Sequence, residues 1–334
     1  MKPSHEGGGR VKRARVSLVK TGDRRENVRR ALQLVREDVV GRIKEEVVIK
    51  PNFFDGRNRL AATHVDAIRG VLDFLSTLPN RPRKVVIAEF PDGEEFEEVL
   101  ERFEYVKLPD EYDIPIHFLN PESEGEWVET KVVMADGGLE SVRISKLMVV
   151  SDCMISVAVA KTHDVCFATL GYKNVAVGSI YTPDKVKMHG YRSHRERRIP
   201  EEAVLLNINL IRLARYIKPH IAVIDGTVGL QGDGPGGKDA VDFGIAVASA
   251  DVFAADAVMA KAMGFEPMEM GYLYYANSLG LGIADLERID ILGRSIEEVT
   301  VKFKPHRRYN LQRQWRTDKA EELLGRALAT SGKP

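Results

Sequence analysis

The sequence predicts an α/β protein of two lobes with mostly parallel sheets and flanking helices, its site in the cleft between the lobes. Three observations predict this. Short β-branched apolar runs alternate with amphipathic stretches, the alternation lapses mid-chain and returns, and ionisable residues follow most of the expected strands. The chain has 334 residues, 44% of them hydrophobic, enough for one large or two medium domains.

Residues 1–12 carry Gly7, Gly8, Gly9 and scattered charges without apolar period, and read as a flexible arm. An N-terminal lobe is expected over 13–150. RVSLV (15–19) reads as a strand, NVRRALQLVREDV (27–39) as a helix and EVVI (46–49) as a strand. HVDAIRGVLDFLSTL (64–78) then reads as a helix and KVVIAEF (84–90) as a strand. From about 106 to 145, alternating runs in PIHFL, WVETKVVM and ESVRIS predict an antiparallel extension that bridges the lobes.

A C-terminal lobe is expected over 151–295. It opens with the strand CMISVAVAK (153–161) and, after a long loop, continues with the helix EEAVLLNINLIRLARYI (201–217) and the strand HIAVID (220–225). In the helix DVFAADAVMAKAM (251–263), Asp251 stands at the N-cap and Gly264 just past the end. ERIDILG supplies a last strand. Residues 296–334 form a basic tail with His306, Arg307, Arg308, Arg313 and Arg316, ending in the weak helix KAEELLGRALA. That tail packs either on the body or on a second copy, and Tyr309 and Trp315 make it a contact surface for a homo-oligomer.

Composition removes several functions. Lys and Arg total 49 against 49 Asp and Glu, which argues against a nucleic-acid protein held by a general basic surface. Apolar runs such as residues 154–160 fall far short of the ~20 residues of a membrane helix, so no membrane span and a cytoplasmic location are expected. The only cysteines, Cys153 and Cys166, exclude a disulfide framework, a four-Cys zinc site and a Cys-ligated iron–sulfur cluster housed in this chain. Cys153 reads as a buried strand residue, and nothing marks Cys166 as a nucleophile.

In open parallel sheets, ligands lie beyond the carboxyl ends of the strands. The residues delivered there are Lys50, Pro51 and Asn52; Glu89 and Asp92; Lys161, Thr162 and His163; and Asp225 with Gly226. Each is equally well a polar residue that begins a loop. The segment from Lys161 to His194 holds three of the eight histidines. His163, His189 and His194 could bring imidazole to a divalent transition metal. A Lys with a His could instead move protons, if burial or a neighbouring cation brings the Lys pKa toward neutrality. The plainer alternatives are a His163 that satisfies backbone groups, His189 and His194 in a solvated Arg-rich turn, and Lys173 on the surface, with Gly171 marking a close backbone approach. GTVGLQGDGPGGKD (226–239), read as a loop, offers the Gly232 and Gly234 amides and Lys238 as an anion nest, or is a mobile turn. Asp256, inside an apolar helix, either has a buried partner or faces water.

Taken in order, KPN (50–52), ISVAVAKTH, GYKN with a downstream His, IAVIDG, QGDGP and SADVFAADAVMAKAMG resemble the DUF362 family of proteins of unknown function, over about residues 14–293. The family loop more often reads Glu-Gly-x-Gly-Pro, and Gln231 stands here at the Glu position. Many relatives add a ferredoxin module with clustered cysteines, which this sequence lacks, so no intrinsic iron–sulfur cluster is implied. DUF362 proteins are in turn distantly similar to the nickel-pincer lactate racemases, which have two α/β lobes around a cleft. The order His163, Lys173, His189, with separations of 10 and 16, looks the same as in the racemases. By that resemblance Lys173 anchors a covalent pincer cofactor, His189 ligates the metal, nickel by analogy, and His163 is a general acid/base and candidate second ligand. Two departures stand out. The racemases have a further catalytic His after an N-lobe strand, where KVVIAEFPDGEE has Glu89 and Asp92, and their Arg-Pro substrate motif has no counterpart in THVDAIRG.

The first functional expectation is an enzyme that uses Lys161, His163, Lys173 and His189, with or without a divalent metal, for proton or hydride transfer on a small anionic substrate. Lys50, Asn52, Asp225, Gly232 and Gly234 complete its binding set. The alternatives are a non-catalytic metal or anion binder and an accessory redox protein that works with an iron–sulfur partner.

Overall fold

The computed structural model describes residues 13–329, so the expected arm at 1–12 lies outside the described residues. The strands are β1 (Ala14–Val19), β2 (Glu46–Lys50), β3 (Lys84–Ala88), β4 (Ile116–Leu119), β5 (Trp127–Val133), β6 (Leu139–Ser145), β7 (Met154–Thr162), β8 (Ala168–Thr169), β9 (Ile221–Gln231), β10 (Asp239–Ser249) and β11 (Ile289–Gly293). Nine of them form one mixed sheet in the order β11-β1-β10-β9-β7-β2-β3-β4, with β8 added beside β7. The run from β9 through β7, β2 and β3 to β4 is parallel, while β10 is antiparallel to both its neighbours.

The apolar runs form strands because both faces of the sheet are covered. Val47 and Ile49 enter one core layer and Val48 the other, and in β7 Ile155 and Val157 oppose Met154 and Ala160 in the same way. That is why these strands read as continuous β-branched runs instead of alternating ones.

The α/β class and the mostly parallel character match the expectation, but the two halves of the chain share one sheet. The β2–β7 pairing, with Val48 opposite Met154, joins them, and β1 leaves its own half to lie between β10 and β11. PIHFL is the parallel edge strand β4, not part of an antiparallel extension. WVETKVVM and ESVRIS do form the expected hairpin, β5–β6.

The segment read as a glycine-rich loop is largely strand. GTVGLQ continues β9 and pairs with β10, which the sequence reading left out, so the loop shrinks to the turn at 232–238. Its glycines admit close neighbours. A Cβ at Gly229 would lie 2.5 Å from the Phe303 ring, so the tail could not lie on the strand with a larger residue there. The tail packs on the body, where Trp315 is buried against Tyr274 and Tyr275 and donates to the Glu269 carbonyl at 2.6 Å.

The helix Gly171–Gly178, which carries Lys173, has no N-cap side chain of its own. Asp256, on the helix Val252–Ala262, supplies the cap from outside. It accepts from the Gly171 and Tyr172 amides at 2.7 and 3.1 Å and from the Tyr272 hydroxyl at 3.0 Å. Asp256 is fully buried, so of the two readings the partnered one holds. A Cβ at Gly171 would approach its Oδ1 to 3.0 Å, the close approach that the glycine permits. Asp256→Ala strands two amides and a hydroxyl in the core, and is expected to lower the unfolding free energy by about 2 kcal/mol or more in urea titration.

Candidate functional site

At the carboxyl edge of β2, β3 and β7 lies a cavity of about 260 Å³. Its lining includes Asn52, Glu89, Asp92, Lys161, His163, Lys173, His189 and His194, which the sequence reading took from five separate segments. Phe54 and Pro235 also line it, from the loop after β2 and the β9–β10 turn.

Lys161 ends β7 with its ammonium in the interior. It donates to Asn52 Oδ1 at 2.8 Å and to the Ala61 carbonyl at 2.6 Å, and lies 5.1 Å from the centre of the Phe54 ring. Burial, and next the Lys173 charge, bring its pKa down to about 7. A neutral amine has two hydrogens, both engaged here, which leaves its lone pair for the cavity. Asn52 is fixed in turn. Its amide nitrogen donates to Asn174 Oδ1 at 2.9 Å, and Asn174 donates to the Lys50 carbonyl and to Ser156 Oγ.

His163 Nδ1 accepts from the Val165 and Cys166 amides at 3.0 and 3.4 Å. The ring proton therefore sits on Nε2. Burial holds the imidazole pKa well below its ordinary value, so the ring is neutral and Asp164, 3.2 Å away, makes no ion pair with it. The residue satisfies backbone groups, as the plainer reading had it, and also lines the cavity. This tautomer suits a hydrogen-bond donor. A metal ligand or base at Nε2 would need Nδ1 to carry a proton against two N–H groups.

His189 has the opposite arrangement. Its Nδ1 lies 2.6 Å from Glu202 Oε1 and donates to that buried carboxylate, which leaves Nε2 as an acceptor with no partner among the described residues. Burial lowers its pKa and Glu202 opposes the shift, which poises a neutral imidazole. Arg197 clamps Glu202 and reaches Asp164 at 2.8 Å. The two imidazoles stack with centroids 6.4 Å apart, one a donor and the other an acceptor.

Lys173 is buried, and its ammonium has neither a hydrogen bond nor an ion pair among the described residues. Burial lowers its pKa below the ordinary lysine value. The other charges at the cavity are matched. Glu89 pairs with Lys50 beneath the floor, Asp92 with Lys185, and Asp164 with Arg197. Of the three lysines that line the cavity, Lys173 is therefore the one without a direct partner among the described residues.

Four expected members are elsewhere. Lys50 supports the floor through Glu89 without lining the cavity. Asp225 lies mid-strand, because β9 runs on to Gln231, and pairs with Arg24 at 2.8 Å. Gly232 takes the positive φ of the turn, +69°, and Gly234 serves packing. A Cβ at Gly234 would lie 2.1 Å from the Thr162 carbonyl, so the turn lies on the end of β7 and brings Pro235 to the cavity. Glu202, Arg197, Asp164 and Lys185 were missed. Glu202 reads in sequence as an ordinary acid in the first turn of a helix, and only the fold reveals its histidine.

Among the described residues no group of three or more His, Cys, Asp or Glu is arranged to hold a metal ion. Cys166 is fully buried and its thiol is pushed up to about 12, which fits its lack of nucleophile marks. A second cavity, of about 300 Å³, opens at the amino end of β1, but its cations are engaged. Arg13 pairs with Asp290, Arg15 with Asp38, and Lys218 donates to the Leu281 carbonyl. No helix among the described residues is long and apolar enough to cross a membrane.

The molecule is thus an α/β protein whose mostly parallel sheet carries a cavity of buried amines and imidazoles at its carboxyl edge. The chain belongs to the DUF362 family, described as a domain of unknown function, whose sequence profile matches residues 47–261. A thylakoid-associated protein of Synechocystis sp. is 25% identical over 239 residues, 71% of this chain and 68% of that protein. Among solved structures, the lactate racemase apoprotein of Thermoanaerobacterium thermosaccharolyticum is similar at 15% identity and a TM-score of 0.44, over 74% of this chain and 57% of the racemase. A protein from Thermotoga maritima is similar at 12% identity and a TM-score of 0.47, over 74% of this chain and 61% of its own. The chain thus spans less than two thirds of either solved structure.

The lowered Lys161 pKa has a consequence for stability. Between about pH 7 and the ordinary lysine value near 10.4, the unfolded chain binds the proton that the folded chain has released, so this residue makes stability rise with pH. Below about 7 both forms are protonated and the burial penalty is complete. Lys161→Met is therefore expected to gain most over the wild type at pH 6. The gain should shrink toward pH 9 by up to about 1.4 kcal/mol per pH unit, measured as urea unfolding free energies.

Proposed function

We propose that the cavity is the active site of an enzyme that moves a proton on a small organic anion. One observation carries the reading: the Lys173 ammonium, without a direct partner among the described residues, shares a small cavity with two neutral bases, Lys161 and the Glu202-supported His189. The volume of about 260 Å³ lies just below the range of about 300–1,000 Å³ that ligand cavities span, which limits an occupant to a small molecule.

Each side chain then has a role fixed by its hydrogen bonds. Lys173 holds the anionic group of the substrate. The Lys161 lone pair takes the proton, and His163 Nε2–H donates to the oxygen on which charge develops. His189 Nε2 first takes up a proton from solvent, with Glu202 stabilising the imidazolium, and delivers it to the carbon from its own side, while Lys161 releases its proton to solvent.

The nickel-pincer group implied by the resemblance fits this chain in two respects. Lys173 has a free amine to hold it, and His189 has a free nitrogen backed by a carboxylate, the usual support for a ligating histidine. When bound, such a group supplies a hydride acceptor. Lys161 would remain the base for the substrate hydroxyl in that case. Denatured-mass measurement of the protein from its own host tests for it, since a covalent group on Lys173 survives denaturation and is lost in Lys173→Ala.

Proton transfer is tested by NMR, following deuterium exchange at the carbon next to the carboxylate of small hydroxy acids and at the carbon beyond the carbonyl of small 2-oxo acids. The wild type is expected to catalyse exchange for at least one of them. Lys161→Met should lower that rate about 100-fold or more while the anion still raises the melting midpoint. Stabilisation by anions with no exchange in the wild type would instead mark a binding protein.

A further inference from the structure

We propose that Lys173 is a nucleophilic amine that forms a Schiff base with the carbonyl group of a small oxo acid in this cavity. The proposal rests on the reading that the cavity takes a small anion, and adds a covalent step to it.

The four lysines at this edge of the sheet differ in what holds them. Lys50 is ion-paired with Glu89 and donates to the Pro51 carbonyl, and Lys185 is ion-paired with Asp92. Lys161 spends two hydrogens on Asn52 and Ala61, and an iminium nitrogen, with a single hydrogen, would forfeit one of those bonds. Lys173 has no such bond to lose among the described residues. A desolvated amine beside other cations is the environment that frees a lysine lone pair at neutral pH, and burial lowers the Lys173 pKa in that sense.

The surroundings also serve the later steps. Lys173 sits in the first turn of a helix whose end Asp256 fixes, so its backbone is held while the side chain reacts. The Lys173 ammonium that met the anion first passes a proton to the Lys161 amine; its nitrogen then attacks the carbonyl carbon, a C–N bond forms, and the C=O π pair moves to oxygen. His163 Nε2–H steadies that oxygen. Lys161 gives the proton it received to that oxygen, then carries a second proton from the new ammonium to the same oxygen, which leaves as water while the nitrogen lone pair forms the protonated C=N. No oxidant or reductant enters.

The test treats the full chain with glyoxylate and sodium cyanoborohydride, followed by intact mass and peptide mapping. The expected result is one carboxymethyl group per chain, on Lys173, before any exposed lysine is modified. Lys173→Arg keeps the cation and is expected to lose the adduct. Oxalate, which cannot form an imine, reports on the anion site separately through the melting midpoint of both proteins. Adducts only on other lysines, Lys161 included, or no adduct while oxalate stabilises, would overturn the Schiff base and leave the anion site standing. No adduct and no stabilisation would overturn both. The map of the wild type alone decides the point if the variant does not fold.

Discussion

Three amino groups, on Lys50, Lys161 and Lys173, are buried at one edge of one sheet, and the rest of the site follows from how each is accommodated. A lysine ammonium cannot enter a low-dielectric interior unaided. Lys50 has a carboxylate against it, Lys161 gives up its charge toward neutral pH, and Lys173 borders a cavity that a ligand can fill. The outer two solutions depend on the first, because the Lys50–Glu89 pair forms the floor on which the cavity rests. Gly178 belongs to the same constraint, since a Cβ there would lie 2.8 Å from Lys50 Nζ.

The polar framework that holds these groups is supplied by parts of the chain far from the cavity. Asp256 fixes the start of the Lys173 helix from a neighbouring helix. Gln312, in the tail, donates to the His163 carbonyl at 2.6 Å and accepts from the Phe167 amide. Thr162 holds the β9–β10 turn through the Gly232 carbonyl at 3.0 Å. The result is a site whose donors and acceptors are set before any ligand arrives, the condition under which electrostatic stabilisation is most effective.

The elements were largely legible because the strands are apolar on both faces and the helices are amphipathic on one. Convergence of Asn52, Glu89, Lys161, His163, Lys173 and His189 was legible too, since they follow strands of one parallel sheet or lie on the long loop after β7. What stayed hidden was pairing at long range. No period in EEAVLL says that Glu202 will meet His189, and nothing in GTVGLQGDG distinguishes a loop from a hairpin until β10 is seen to lie beside it. Asp225 was misplaced for the same reason: the strand runs six residues past the point where its apolar run ends. The place of β1 was hidden in the same way, because its local sequence fits a strand anywhere in either half.

That strand also sets an order of events during synthesis. β1 is made first, yet its sheet neighbours are residues 246–249 of β10 and 289–293 of β11. Its hydrogen bonds therefore stay unmet until most of the chain has left the ribosome. A chain built in this way cannot complete its first half and then its second, and loop closure over more than two hundred residues delays the sheet as a whole. Among the strands of the sheet, residues 14–19 therefore wait longest for their partners.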